Sequence, residues 1–150
     1  MPQSLANILV HLIFSTKERR PSIRDGVRER LHAYITGILE NQQSPSLQTN
    51  SAEDHAHILF VLSKNLSLAK VVQEVKQSSS NWMKDQGEVY RDFGWQNGYA
   101  AFSLSESQRN VVREYIRNQR EHHAKVSFQD ELRQFFKRHG VDYDERYVWD

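Results

Sequence analysis

From residue 5 to residue 15 the chain is dense in Ile, Leu, Val and Phe. It then breaks into the polar run Thr16-Lys-Glu-Arg-Arg-Pro21, the pattern of a strand and its exit. From Asp25 to about residue 42 the spacing changes. Val27, Leu31, Tyr34, Ile35, Ile38 and Leu39 recur at steps of three and four, which predicts an amphipathic helix with Asp25 as its N-cap. A Ser44-Pro45 turn leads to a short candidate strand at residues 46–50, and residues 55–62 read as a clear strand. Ser67 is placed to cap a helix reaching about Lys84, with Leu68, Val71, Val72 and Val75 on its inner stripe. A loop bearing Trp and Gly spans residues 93–98, and a strand follows at 99–104. Ser105 and Gln108 have the spacing of a capping box for a helix through about His122. A last helix, from about Phe128 to His139, stops at Gly140, a residue suited to a left-handed C-cap.

The order β-α-β-β-α-β with appended C-terminal helices predicts an α+β fold, a ferredoxin-like (RRM-like) four-stranded antiparallel sheet. With 150 residues and no linker or repeat, the chain reads as one domain, 1–150. Alternation along residues 55–62 places His55, His57, Leu59 and Val61 on one face and Ala56, Ile58, Phe60 and Leu62 on the other. Histidines aside, both faces are apolar. Either the appended helices or a partner subunit must cover the second face, which is one argument for a homodimer.

Composition narrows the class. Hydrophobic residues at 38% and charged residues at 26% are ordinary for a soluble globular protein. The longest apolar run, residues 8–14, is interrupted by His11 and is too short to span a bilayer. The first residues lack the basic and apolar stretches of a secretion signal, so no membrane association and a cytoplasmic location are expected. Without cysteine there is no disulfide framework and no thiolate metal site. The net charge of +1 says little, but its distribution is uneven. The last nine residues carry −3, and residues 17–30 hold six bases against three acids. Residues 109–125 hold five bases against two acids. Two basic segments suit a polyanion, and they equally suit ordinary solvated faces.

Two constellations could carry chemistry. His55 and His57, two apart on a strand, point the same way and can reach one metal ion, although such a pair also occurs as plain core or surface histidines. Tyr115 and Gln119 lie one helical turn apart on one face, which continues to His122, while Arg113, Arg117 and Arg120 fall nearly opposite. A helical tyrosine is often a core aromatic. With an ordinary pKa of about 10, its phenol becomes a useful nucleophile toward a phosphodiester held by a cation.

The chain resembles the small single-tyrosine transposases of the HUH superfamily, including the REP-associated tyrosine transposases. The resemblance runs through His11-Leu-Ile-Phe-Ser-Thr-Lys17, Asp54-His-Ala-His-Ile-Leu59 (the histidine–hydrophobic–histidine motif) and Lys76-Gln-Ser-Ser-Ser80. It continues through Trp95-Gln-Asn-Gly-Tyr-Ala-Ala-Phe-Ser103, Tyr115-Ile-Arg-Asn-Gln-Arg-Glu-His-His123 and the acidic tail Tyr143-Asp-Glu-Arg-Tyr-Val-Trp149. Ala56, smaller than the usual central residue of the motif, is the one departure; it faces away from the pair. The resemblance implies that His55, His57 and Gln119 hold a divalent metal, Mg²⁺ or Mn²⁺. It also implies that Tyr115 attacks single-stranded DNA, leaving a 5′-phosphotyrosine and a free 3′-hydroxyl. A later 3′-hydroxyl then rejoins the strand. Family members are homodimers that bind imperfect DNA hairpins, and in some the Tyr of one subunit completes the other's site.

By residue type, Lys17, Arg19, Arg20 and Lys76 suit contacts to DNA phosphates. Trp82, Trp95 and Tyr99 read as core aromatics, with stacking on unpaired bases as the alternative. Two other functions fit the same residues. One is a domesticated hairpin-binding protein that mobilises no DNA. The other is a metal-dependent phosphodiesterase using His55, His57 and His122 with water as nucleophile. An RNA-binding module of this topology needs exposed aromatics on its central strands, where Phe60 and Val61 read as buried.

Overall fold

The computed structural model describes residues 2–149. Four strands, β1 (Leu9–Ser15), β2 (Ser46–Ser51), β3 (His55–Val61) and β4 (Ala100–Leu104), form one antiparallel sheet in the order β2-β3-β1-β4. Helices α1 (Asp25–Asn41) and α2 (Leu68–Lys84) complete the β-α-β-β-α-β unit. Helices α3 (Arg109–Arg117), α4 (Gln119–Lys125) and α5 (Phe128–His139) follow it. The fold is the expected α+β, ferredoxin-like arrangement.

One face of the sheet turns Val10, Leu12, Phe14, Ala56, Ile58 and Phe60 toward the inner stripes of α1 and α2. The other turns Ile13 and Phe102 toward Phe128, Leu132, Phe135 and Phe136 of α5. The second face is therefore covered by the chain's own C-terminal helices, and its apolar pattern calls for no partner subunit. Among the described residues no helix is long and apolar enough to cross a membrane.

Local signals account for most boundaries. Ser67 Oγ accepts from the Lys70 N–H at 3.1 Å, capping α2 as its spacing predicts. Gly140 ends α5 at φ 65°, where a side chain would be strained, and the Val141 N–H closes back on the Phe136 carbonyl at 2.9 Å. Three expectations shift. β1 begins at Leu9 rather than residue 5, because its partners Val61 and Leu104 are the last residues of β3 and β4. Arg24, not Asp25, is the N-cap of α1; Asp25 lies inside the first turn and pairs with Arg28 at 3.0 Å. The capping box at Ser105 does not form. Its hydroxyl bonds Ser107 Oγ at 2.7 Å, a 3-10 turn covers Glu106–Gln108, and α3 starts at Arg109.

The single long helix expected through His122 is in fact two. Asn118, at φ −93° and ψ 16°, separates α3 from α4. Asn50 of β2 holds this break open by donating from Nδ2 to the carbonyls of Ile116 (2.8 Å) and Arg117 (3.1 Å). Both acceptors lie in the last turn of α3, where carbonyls have no helical partner. Asn50 stands opposite His57 in the β2–β3 register, so the helix break is tied directly to the histidine strand.

Candidate active site

His55 and His57 are both fully buried and project from β3 beneath the C-terminal helices. Their outer nitrogens are held by other side chains. His55 Nδ1 faces Asp54 Oδ1 at 2.7 Å, and His57 Nδ1 faces His11 Nε2 at 2.8 Å. That leaves both Nε2 atoms turned toward one point, as expected of imidazoles oriented for ligation.

Glu131 of α5 occupies that point. Its Oε1 is 2.9 Å from His57 Nε2 and 3.4 Å from His55 Nε2. Its Oε2 accepts from Gln119 Nε2 at 2.9 Å and from the Tyr115 hydroxyl, and stands 3.2 Å from His122 Nε2. Gln119 Nε2 is also 3.2 Å from His55 Nε2. One carboxylate, only 2% exposed, thus gathers every group that the sequence proposed for the site.

The electrostatics follow from this crowding. Burial opposes charge on Glu131, but hydrogen bonds from His55, His57 and Tyr115 overcome it and hold the carboxyl far below its ordinary range. The Tyr115 phenol is pushed well above its ordinary value, first by burial and then by the neighbouring Glu131 charge. Burial lowers His57, and lowers His11 further still. For His55, burial is outweighed by its two carboxylate partners and the pKa rises. A phenol held protonated in this way is a poor nucleophile, and a cation beside it would favour its ionised form.

The donor set fits one. Ligands at right angles around an ion with bonds of about 2.1 Å lie about 3 Å apart, and the Nε2–Oε1 separations here are 2.9 and 3.4 Å. Gln119 Oε1 is buried with no hydrogen-bond partner among the described residues. A half-turn of that amide puts an unused acceptor where Nε2 now faces His55. Buried His55, His57 and Glu131 can therefore hold a metal ion.

The sequence reading missed Glu131 as a site residue, yet a signal was present. Phe128, Leu132, Phe135 and Phe136 form the buried stripe of α5, and Glu131 lies inside it as the lone acid. His11 and Asn50 were likewise given no site role, because their partners lie 46 and 66 residues away.

The residues expected to meet DNA separate into groups. Lys17, Arg20 and Lys76 line a cleft of about 770 Å³ together with Lys84 and Arg91, against one acid, Asp92. Lys76 donates to the carbonyls of Gln96 (2.6 Å), Asn97 (3.3 Å) and Gly98 (2.7 Å), and burial lowers its pKa to about 8. Arg19 is not among the lining residues, and its Nη1 is buried without a hydrogen-bond partner. Trp95 is core, donating to Ser79 Oγ at 2.9 Å; Tyr99 is 41% exposed and faces the cleft. Gln96 on the cleft's wall bonds the backbone of Ser15, which stands opposite His55 in the β1–β3 register.

A model of the family "Transposase IS200 like" matches residues 4–119. The chain belongs to the IS200-like transposase family. The matched stretch takes in His55, His57, Tyr115 and Gln119 and ends before Glu131. Membership makes this transposase a DNA-processing enzyme. The fold is similar to that of a candidate transposase from Deinococcus radiodurans R1, with a TM-score of 0.62 at 21% identity, covering 78% of this chain and 94% of that one. It is also similar to a REP-associated tyrosine transposase bound to a REP hairpin, with a TM-score of 0.62 at 12% identity, covering 83% and 73%. At such identities the likeness is one of fold. No curated protein matches the chain.

Proposed function

We propose that residues 1–150 act as one HUH transposase domain, which cuts and rejoins single-stranded DNA through Tyr115. The observation that carries this reading is the convergence of Tyr115, Gln119, His55 and His57 on the single carboxylate of Glu131. His55, His57 and Gln119 hold a divalent ion, Mg²⁺ or Mn²⁺, with Glu131 Oε1 beside them; hard oxygen donors with imidazole suit these ions. When bound, the ion neutralises charge on a non-bridging phosphate oxygen. The Tyr115 oxygen attacks phosphorus in line and gives up its proton to solvent, the bond to the 3′-oxygen breaks, and that oxygen takes up a proton. A 5′-phosphotyrosine and a free 3′-hydroxyl result. Attack by another 3′-hydroxyl reverses the step and releases the phenol. The basic cleft binds the DNA, with Lys17 and Arg20 at phosphates and a hairpin as its natural ligand. A homodimer, on the family resemblance, and a cytoplasmic location, on the composition, complete this reading.

Purified protein with Mn²⁺ and a single-stranded oligonucleotide carrying a hairpin from beside its gene is expected to form a denaturant-resistant protein–DNA adduct. Tyr115→Phe abolishes the adduct and leaves hairpin binding nearly intact, and His57→Ala loses metal-dependent cleavage. An adduct in Tyr115→Phe would refute the nucleophile. Hairpin binding with no adduct in the wild type points instead to a domesticated binding protein. A second enzymatic reading draws on His122, whose Nε2 also reaches Glu131 Oε2 at 3.2 Å. A metal-dependent phosphodiesterase using water there would cut DNA without an adduct and keep cutting in Tyr115→Phe.

A further inference from the structure

We infer that His11 is a positioning residue for His57: it accepts the imidazole proton that His57 must carry on Nδ1 in order to ligate a metal through Nε2. The inference rests on the metal-site reading above and goes one layer outward from it.

The argument starts from the two edges of one ring. His57 Nε2 faces the site and Glu131; its Nδ1 faces His11 Nε2 at 2.8 Å, and both residues are essentially without solvent exposure. A neutral imidazole that ligates through one nitrogen carries its proton on the other, and a buried N–H needs an acceptor. His11 holds that place. It projects from β1 opposite Leu59, diagonally across from His57. Its ring is fixed edge-on to Phe135, with centroids 5.1 Å apart and planes at 85°. At 2.8 Å its Nε2 can accept that proton in the tautomer protonated on Nδ1.

The two states of the site require different proton placements. With Glu131 accepting from His57 Nε2–H, His57 Nδ1 is an acceptor and His11 Nε2 carries the proton between them. With a cation on His57 Nε2, the shared proton sits on His57 Nδ1, His11 accepts at Nε2, and the His11 proton sits on Nδ1. Between the two states the tautomers invert. His11 also lines a cleft of about 180 Å³ with Ser103, Gln108 and His139, so the ring is not sealed on every side. The other ligand is oriented differently, since His55 Nδ1 rests on the Asp54 carboxylate at 2.7 Å. One imidazole is thus backed by an anion and its neighbour by a neutral ring.

Two measurements test this on the full chain. In ¹⁵N-histidine NMR of the wild type, the proton on His57 is expected on Nε2 without metal and on Nδ1 with saturating Mg²⁺, with His11 inverting in step. In Mn²⁺ titrations followed by water-proton relaxation, His11→Phe is expected to weaken binding about 10–100-fold, the usual cost of losing such a partner. His11→Gln, whose amide oxygen can accept, should recover most of the affinity. If wild type and His11→Phe bind Mn²⁺ alike, or His57 keeps its Nε2 proton at saturation, the role of His11 is overturned while the metal site stands. If the wild type binds no Mn²⁺, the metal reading fails and this inference with it. Should His11→Phe not fold, the wild-type spectra and His11→Gln decide.

Discussion

The two faces of the sheet are built on opposite principles. Toward α1 and α2 the interior is aliphatic and aromatic, and its one buried indole is satisfied by Ser79 at 2.9 Å. Toward α3–α5 the apolar cluster is smaller and surrounds three buried histidines, a glutamine and a carboxylate. The first face is held by removal of apolar surface from water. The second is held in part by hydrogen bonds that all meet at Glu131, so its integrity depends on which charges are present. Stability and chemistry are divided between the two sides of the same strands.

Breaking the first face should have the largest effect. Phe14 is fully buried against Trp95, ring centroids 4.7 Å apart. Phe14→Ala is expected to cost about 3–5 kcal/mol in urea unfolding, with or without metal. The second face should respond to the ion: Mn²⁺ at about 100 times its dissociation constant is expected to add about 2.7 kcal/mol, read as a rise in Tm. His57→Ala should lose that increment, and Phe14→Ala should keep it. An equal increment in both would erase the distinction between the faces.

The link between β2 and the α3–α4 break comes next. Asn50→Ala leaves two carbonyls without their donor and is expected to cost about 1–2 kcal/mol. It should also slow adduct formation more than it weakens hairpin binding, since Tyr115 and Gln119 flank the break. A variant with normal adduct kinetics would make Asn50 purely structural. An effect of similar size, but confined to acid pH, belongs to His32 on α1, bonded to Ser51 Oγ at 2.7 Å and lowered by burial from 6.5 to about 4. Because the folded value is the depressed one, the unfolded chain takes up the proton first. Stability is whole above pH 6.5 and declines as pH falls toward 4. His32→Gln is expected to remove roughly 1–2 kcal/mol of that decline, measured by unfolding across this range.

How much of this was legible in the sequence follows the same division. Period-two and period-3.6 patterns located all four strands, the first two helices and α5, and Ser67 and Gly140 gave two helix ends by local chemistry alone. The histidine pair and the tyrosine–glutamine spacing were visible because each is short-range. What remained hidden is tertiary. The break at Asn118 is held by a side chain from β2, and nothing within residues 109–122 announces it. Glu131 sits on an apolar stripe as an anomaly, whose meaning depends on a strand 74 residues earlier. His11 looked like an interruption of a hydrophobic run until β1 was laid beside β3.

Lys76 illustrates how a count of cations can mislead. Five basic side chains line the cleft, but the ammonium of Lys76, on α2, is tethered by three carbonyls of the loop at residues 96–98. It contributes long-range attraction without a free donor for a ligand. The ion release that accompanies binding of a single strand scales with phosphates actually neutralised, at about 0.7 per contact. The logarithmic dependence of affinity on salt should therefore be shallower than five lysines and arginines suggest.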